Sequence, residues 1–261
     1  MLIDKPEGWT SHDVVAKLRG VLSTRRIGHA GTLDPMATGL LVLGVDAATK
    51  LLTFLVGCDK TYEATIRLGA STITDDRESE YVSVAESGQV QSITPEQIAA
   101  AIASLTGDIQ QVPSSVSAIK VNGVRAYTKA REGEEVKLDA RPVKVSKFEM
   151  LSVPRMVEAD EHTFLDLDVV VDCSSGTYIR ALARDLGGAL GVGGHLTALR
   201  RTRVGSYVVA GANELEGITK DKAHKISMFE AVRDQFAIRL LSEQDEIDLR
   251  QGKRLALSEL A

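Results

Sequence analysis

The segment GHAGTLDPMATG, residues 28–39, constrains the fold more than any other part of the sequence. Its glycines allow tight turns, and Pro35 restricts the preceding residue, Asp34, to extended backbone conformations. We therefore predict a structured loop that presents the Asp34 carboxylate on a stiff backbone. The apolar run LLVLGV that follows predicts a buried strand.

Helical periodicity is found in three places. Apolar residues recur at helical spacing after Thr10 and Ser11, two good N-cap residues, and again after the capping signature that begins at Thr94. Gly107 is predicted to stop the second of these helices. A third helix is predicted from Ile179, with its first residues near the positive end of the helix dipole.

Strand periodicity is clearest around Tyr62 and from Leu165 to Val171, where apolar residues alternate with polar ones. Helices and strands do not alternate regularly along the chain. We therefore predict an α+β fold with a mixed, mostly antiparallel central sheet flanked by helices.

Domain organisation follows from length and from the loss of pattern near Gly211. A chain of 261 residues can bury one large core with a small appendage. We predict a main domain at residues 1–211 and a small or truncated C-terminal extension at 212–261. One helical stretch near Met228 is predicted in that extension.

Composition indicates a folded globular protein, with 44% hydrophobic and 26% charged residues. The first residues carry charge where a secretory signal would be apolar, and the longest apolar run is too short to span a bilayer. We therefore expect a cytoplasmic protein that is not bound to a membrane. Cys58 and Cys173 lie far apart, so we expect reduced thiols and no disulfide framework.

Charge alone does not favour a nucleic-acid partner, because the net charge is −5 and phosphate contacts need positive charge. Basic residues are nevertheless clustered. Residues 110–147 hold eight basic and four acidic side chains, and a second cluster without acids comprises Arg200, Arg201 and Arg203. Both clusters are compatible with local basic faces, although such runs are more often ordinary solvated surface.

A carboxylate fixed beside a bound sugar or base can act as nucleophile or base without a cofactor. The plain alternative for Asp34 is that an Asp-Pro pair only initiates a turn. A metal hydrolase is a further alternative, since His12, Asp13 and His29 supply ligand types beside Asp34. Their spacing matches no ligand motif, and we expect no metal and no cofactor.

The wider segment RRIGHAGTLDPMATGLL resembles the catalytic motif of the TruB family of pseudouridine synthases. Five further segments resemble other parts of that family, in the same order and up to about Gly205. They are DKPEGWTSHDVV, KTYEATIRLG, PSSVSAIKVNGVRAY, CSSGTYIRALARDLG and HLTALRRTRVG. The resemblance implies the pseudouridine synthase fold and an isomerase that converts the T-loop uridine of tRNA, conventionally position 55, to pseudouridine.

The resemblance also implies catalytic roles for three residues. Asp34 matches the essential aspartate, which attacks the target uridine as nucleophile or initiates cleavage of its glycosidic bond, the order of these steps being open. Tyr62 matches a tyrosine that packs against the base and is proposed to take the C5 proton. Arg180 matches an arginine that pairs with the catalytic carboxylate, which a guanidinium would hold in its ionised form and in one orientation.

Further substrate contacts are implied with less weight. His29 matches a histidine that fills the space vacated by the flipped nucleotide, and Tyr178 and Leu199 match residues that line the base pocket. Asp76 matches a substrate-contacting aspartate of a polar loop. A structural role is an equally good interpretation of His29, Tyr178 and Leu199 taken singly. Lys5 matches a residue that supports the catalytic loop.

The implied partner is the T arm of tRNA, bound by a monomer. Residues 110–147 correspond to an insertion that clamps this arm. The predicted contacts to the RNA backbone are Lys120, Arg125, Lys129, Arg131, Arg200 and Arg201. The competing hypothesis is an RNA-folding chaperone, or binding module, that uses the same site to hold RNA without turnover.

Overall fold

The computed structural model describes residues 1–114, 120–121, 124–125, 138–233 and 236–255. The chain divides into two compact units, Met1–His224 and Lys225–Ala261. The first unit extends past Gly211 because the short strand Asn213–Glu214 pairs with the strand Leu2–Lys5. The boundary predicted between residues 211 and 212 stays a prediction.

The strands of the first unit are numbered in chain order. They are β1 (Leu2–Lys5), β2 (Ile27–Ala30), β3 (Thr38–Val45), β4 (Lys60–Leu68), β5 (Ala70–Thr72), β6 (Tyr81–Val84), β7 (Gly107–Gln111), β8 (Lys120–Val121), β9 (Val124–Arg125), β10 (Arg141–Met150), β11 (Arg155–Ala159), β12 (His162–Cys173), β13 (Gly194–Val204), β14 (Tyr207–Val208) and β15 (Asn213–Glu214).

The helices of the first unit pack around these strands. They are α1 (Ser11–Leu22), α2 (Leu52–Val56), α3 (Ser87–Gln91), α4 (Pro95–Ser104) and α5 (Ile179–Ala189), with a 3-10 helix at Asp46–Leu51.

The central sheet has eleven strands in the described part of the chain, with the main order β15-β1-β3-β13-β4-β12-β10-β7. Strands β2, β14 and β11 add to β3, β13 and β12. The β1–β15 and β3–β13 pairs are parallel, and the other pairs are antiparallel. The predicted α+β fold with a mixed, mostly antiparallel sheet is confirmed.

The helix starts lie where the sequence predicts them. Thr10 caps α1 and Thr94 caps α4, and each forms a reciprocal capping box with the residue three positions later. The end of α4 differs from the prediction, since this helix stops at Ser104. Gly107 instead begins β7 with a φ of 96°, a conformation that favours glycine.

The predicted loop at residues 28–39 is shorter than expected, because β2 runs to Ala30 and β3 begins at Thr38. Gly28 and Gly44 face each other in the β2–β3 pair. A Cβ atom at Gly44 would lie 2.7 Å from the carbonyl oxygen of Ala48. At least one of these glycines therefore permits close packing and does not mark a turn.

The main core lies where β4, β12 and β13 pack against α4 and α5, and it includes Tyr62 and Leu199. A second apolar cluster joins α1 to β1 and β3. Neither cysteine forms a disulfide in the described part of the chain; Cys173 is buried and Cys58 is half-buried.

The second unit contains the helices α6 (Met228–Arg233) and α7 (Glu243–Arg250) in its described part. The helical stretch near Met228 is therefore confirmed. Helix α7 was not predicted, because its sequence EQDEIDLR is mostly polar and its two apolar residues, Ile247 and Leu249, do not form an apolar stripe. Across both units, none of the described helices combines the length and apolarity that a membrane span requires.

Candidate active site

The backbone around Asp34 is fixed by hydrogen bonds to five consecutive carbonyl oxygens. In chain order the donors are Arg201 Nη2 to Gly31 (3.1 Å), Arg201 Nη1 to Thr32 (3.5 Å), Ser11 Oγ to Leu33 (3.1 Å), Ala37 N to Asp34 (3.1 Å), and both Gly8 N (2.9 Å) and Lys5 Nζ (3.2 Å) to Pro35. These hydrogen bonds must break before the loop can move. By contrast, 37% of the Asp34 side chain is exposed. A rigid backbone thus presents an accessible carboxylate.

Lys5 supports this loop from β1. Its side chain is fully buried, and its ammonium donates to the carbonyls of Pro6 (3.0 Å), Trp9 (2.5 Å) and Pro35 (3.2 Å). Burial lowers the pKa of Lys5 to about 8, and the nearby charge of Asp34 opposes that shift. These contacts agree with the structural role that the resemblance implies.

Arg201 holds the same loop from β13. Its guanidinium is fully buried and donates to the carbonyl of Leu40 (2.8 Å), in addition to Gly31 and Thr32. A buried guanidinium whose donors are used by carbonyls cannot reach a phosphate without unfolding its surroundings. The expectation that Arg201 contacts the RNA backbone is therefore corrected: its side chain supports the loop.

Arg180 connects the loop to a second carboxylate. It is the second residue of α5, and its Nε lies 3.0 Å from Asp34 Oδ2 and 3.6 Å from Asp76 Oδ2. Its Nη1 donates to the Thr74 carbonyl (2.7 Å) and to Ser114 Oγ (3.2 Å). Several donors of one planar group are thus anchored at once, which fixes the direction from which the guanidinium faces Asp34.

Asp76 differs from Asp34 in exposure. Only 2% of its side chain is accessible, and Oδ1 accepts from Thr74 Oγ1 (2.5 Å) and from the backbone N–H of Glu78 (2.9 Å). In this conformation Asp76 orients Arg180. The predicted contact between Asp76 and substrate stays a prediction.

Tyr62 and Leu199 lie on the paired central strands β4 and β13. In the register of this pair, Tyr62 faces Arg201, and Leu199 faces Ala64. Both side chains are more than nine-tenths buried. Burial raises the pKa of Tyr62, and the nearby Arg201 charge acts in the opposite direction. Tyr62 and Leu199 therefore belong to an apolar surface beside the loop, and the Tyr62 hydroxyl is a polar group on that surface.

His29 lies on β2. Its Nδ1 is buried and has no hydrogen-bond partner among the described residues. Burial lowers the pKa of His29, which favours the neutral ring. Tyr178 is the N-cap of α5, and its backbone N–H and carbonyl both bond the Gln111 side chain, at 2.8 and 3.1 Å.

Three residues that the sequence analysis did not single out hold α5 in place. Gln111 and Ser114 are buried and bond the Tyr178 backbone and Arg180. Arg184, one turn after Arg180, donates to the Val112 carbonyl at 2.7 Å. Ser114 and Arg184 lie inside segments that carry the family resemblance, but one sequence cannot show which of their positions are in contact.

The predicted RNA-contacting residues are only partly described. Arg200 is partly exposed and pairs with Asp4 through two contacts, at 2.6 and 3.0 Å. Lys120 and Arg125 lie in the β8–β9 pair, and their side chains are outside the described residues. Lys129 and Arg131 lie outside them altogether.

The ligand set of the metal-hydrolase alternative does not assemble. Asp13 closes the capping box with Thr10, and Asp34 is paired with Arg180. In the parts of the chain that the structure describes, no three or more His, Cys, Asp or Glu side chains come together as metal ligands.

Two family models match the chain. "TruB family pseudouridylate synthase (N terminal domain)" matches residues 19–179, and "tRNA pseudouridylate synthase B C-terminal domain" matches residues 180–233. The chain is 56% identical over 256 residues to a tRNA pseudouridine synthase B of Paenarthrobacter aurescens, covering 98% of this chain and 80% of that protein. It is 57% identical over 258 residues to one of Leifsonia xyli, covering 99% and 83%.

Solved structures share the fold. An H/ACA RNP bound to a substrate RNA containing 2'-deoxyuridine matches with a TM-score of 0.57 and 28% identity, over 82% of this chain and 50% of that chain. A Cbf5-Nop10-Gar1 complex matches with a TM-score of 0.57 and 30% identity, over 79% and 48%. The chain thus spans about half the length of these structural relatives.

The fold and these matches define the class of the protein as a pseudouridine synthase, an isomerase that acts on RNA. Within that class, the chain belongs to the TruB family, which its sequence matches from residue 19 to residue 233.

Proposed function

We propose that this protein is a tRNA pseudouridine(55) synthase that isomerises the T-loop uridine of tRNA through an aspartate nucleophile. The tRNA substrate is supported by the curated relatives that bear the name tRNA pseudouridine synthase B. The proposed mechanism rests on the Asp34–Arg180 pair, whose charged atoms lie 3.0 Å apart. The five consecutive backbone carbonyls of residues 31–35 all accept hydrogen bonds, so the loop that carries Asp34 is held in place.

The reaction is an isomerisation, and it needs no oxidant, reductant or other reactant. The bond from C1′ of the ribose to N1 of uracil breaks, the uracil rotates, and a bond forms from C1′ to C5. The hydrogen on C5 leaves as a proton, and N1 ends with a proton that it lacked before. The protein must therefore supply a nucleophile, a proton acceptor and a closed environment, and no cofactor is required.

We assign the nucleophile to Asp34 on the basis of exposure. Two carboxylates lie near Arg180, but 37% of the Asp34 side chain is accessible against 2% of that of Asp76. A nucleophile must reach the substrate, so the exposed member of the pair is the candidate. Arg180 then holds the Asp34 carboxylate in one orientation and offsets its charge before attack.

Tyr62 and Leu199 form the proposed base pocket. A buried aromatic ring and a leucine on adjacent strands offer an apolar surface to a uracil that has left its stack. Tyr62 is the proposed acceptor of the C5 proton, which its side chain takes up as the phenolate and then holds as the neutral phenol. His29 is the proposed filler of the vacated position in the RNA, and Tyr178 the proposed second wall of the pocket.

Base flipping costs a few kcal/mol, and it costs least where the base is poorly paired, as in an RNA loop. This favours a T-loop uridine over one in a stem. The T arm itself is the proposed partner, bound by the insertion at residues 110–147 and by Arg200. The protein is proposed to act as a cytoplasmic monomer.

The test uses a T-arm stem-loop RNA in which uridines carry tritium at C5. Turnover should release tritium to water, and sequencing of the product should place pseudouridine at the position equivalent to 55. A matched RNA with cytidine at that position should release none. Release from this control RNA would overturn the assigned position.

The same experiment distinguishes an enzyme from a protein that binds RNA without turnover. An RNA chaperone would bind the stem-loop and change its structure without releasing tritium. Tight binding with no release, in a preparation that is folded by circular dichroism, would replace the proposed function with the chaperone hypothesis.

A further inference from the structure

Arg201 is a buried cation without a carboxylate. Its side chain is fully buried, and among the described residues no Asp or Glu oxygen lies within 4.0 Å of its nitrogens. Its guanidinium instead donates hydrogen bonds to three backbone carbonyls. Burying an arginine without a carboxylate costs desolvation free energy, which these hydrogen bonds to carbonyls offset only in part. A specific use of the guanidinium is therefore expected.

The carbonyls that Arg201 bonds lie at the two ends of the loop. Gly31 and Thr32 precede Asp34, whereas Leu40 follows it on β3. The backbone of Arg201 also packs closely against the loop. A Cβ atom at Gly39 would lie 2.3 Å from the Arg201 carbonyl oxygen. Gly39 has a φ of 98°, a conformation that an L side chain rarely adopts. One residue of β13 thus holds both the entry and the exit of the loop.

The same guanidinium faces Tyr62 across the β4–β13 pair. The charged or titratable groups that act on the phenol come from three elements: Arg201 on β13, Cys173 on β12 and Asp34 on the loop. Arg201 lowers the pKa of Tyr62, while Cys173 and Asp34 raise that pKa. Among these groups, Arg201 is the one that favours the ionised phenol.

We propose that Arg201 is a positioning residue of this site, which holds the loop that carries Asp34, sets the electrostatic environment of the facing Tyr62 and makes no contact with RNA. The expected effect of Arg201 on turnover rests on the proposed function; its role in holding the loop does not. The Arg201→Lys variant keeps the charge but loses the planar fork, and the Arg201→Met variant loses both.

The first experiment compares single-turnover rates and RNA affinity. With saturating T-arm RNA, Arg201→Lys should turn over about ten- to a hundredfold more slowly, because the loop is no longer held at both ends. Its dissociation constant and the dependence of binding on salt should match the parent. Arg67→Lys is the matched control, since Arg67 is a largely buried arginine of β4 that pairs with Asp166 and bonds none of the loop carbonyls. It should keep the parent rate.

The second experiment needs no turnover. Tyrosinate absorbance is titrated in the parent, in Arg201→Lys and in Arg201→Met, each against the same protein carrying Tyr62→Phe. The ionisation of Tyr62 should move to higher pH in Arg201→Met and stay near the parent value in Arg201→Lys. Absent turnover in the parent would count against the proposed function alone, whereas this titration tests Arg201 directly.

Two results would overturn the proposal. One is weaker RNA binding with a flatter salt dependence in Arg201→Lys at an unchanged rate, which would make Arg201 a phosphate contact after all. The other is a parent-like rate in Arg201→Lys together with a parent-like Tyr62 titration in Arg201→Met. If Arg201→Met does not fold, the Arg201→Lys rate decides the matter on its own.

Discussion

Arg180 lies 3.0 Å from the Asp34 carboxylate although the two residues come from distant parts of the chain. Its second carboxylate neighbour, Asp76, is almost completely buried. One guanidinium therefore contacts both an exposed carboxylate, which is the proposed nucleophile, and a buried carboxylate that needs a counter-ion.

Asp34→Asn is expected to abolish pseudouridine formation while leaving the fold and RNA affinity largely intact. The amide keeps the shape of the side chain but loses its charge and nucleophilicity. Tritium release from labelled T-arm RNA measures the first effect, and filter binding the second. Appreciable residual turnover in a preparation free of parent enzyme would contradict the assignment of Asp34 as the nucleophile.

Arg180→Met is expected to lower the free energy of unfolding by about 3 kcal/mol or more, because it leaves the buried Asp76 without its counter-ion. Urea denaturation followed by circular dichroism measures this change. Arg155→Met is the control, since the Arg155–Asp168 pair is partly exposed and its loss should cost about 1 kcal/mol or less. A loss of only that size in Arg180→Met would contradict the expected stabilising role of Arg180.

The regular elements were predictable because their signals are local. Alternation around Tyr62 gives β4, in which every second residue is buried, and Thr10 and Thr94 give the starts of α1 and α4. For these elements, the residues that decide the structure are neighbours in the sequence. The glycines and the proline around Asp34 likewise predict a constrained loop, but most of the hydrogen bonds that hold it come from distant residues such as Arg201, Ser11 and Lys5.

The rest depends on contacts between distant residues. Arg201 belongs to a run of basic residues and was interpreted as surface, because nothing in one sequence shows that β13 passes beneath the loop. The same holds for Ser114 and Arg180, which meet only once the fold is formed. Gly28 was assigned to a loop because strand pairing with Gly44 leaves no local signal.

Lys5 is expected to make stability rise with pH between about 8 and 10.5. Its folded pKa is about 8 against an ordinary value of 10.5, so within this window the unfolded chain binds a proton that the folded chain has released. Unfolding then takes up a proton and becomes harder as pH rises. The full effect is on the order of 3 kcal/mol, at about 1.36 kcal/mol per pKa unit.

The measurement is the free energy of unfolding from pH 7.5 to 10.5, in the parent and in Lys5→Met. Other groups titrate in this range, including Tyr62 and Cys173, whose pKa values burial raises. The difference between parent and variant removes their contribution. A difference that stays flat across the window would mean that Lys5 keeps its proton in the folded state. Lys220→Met, at an exposed position, should behave as the parent does.

The remaining prediction concerns the basic insertion, for which the sequence supplies the argument. Lys120, Arg125, Lys129 and Arg131 lie close together in the chain, and the family resemblance places them against the T arm. If they contact phosphates, each adds a sequence-independent and salt-dependent increment to affinity. Replacing all four with neutral residues should weaken RNA binding and reduce the salt slope by about 0.7 to 0.9 for each phosphate that is no longer bound.

The chemical step should change much less than the affinity, because these side chains are expected to position the RNA backbone and not the target base. Filter binding across a salt series, followed by single-turnover assays at saturating RNA, tests both halves. The double variant Lys220→Gln and Lys222→Gln removes exposed positive charge elsewhere and should leave the slope unchanged. An unchanged slope in the fourfold variant would mean that the insertion carries only solvated charge. The RNA footprint would then have to include Arg200 and Arg203, the partly exposed arginines that flank the buried Arg201 on β13.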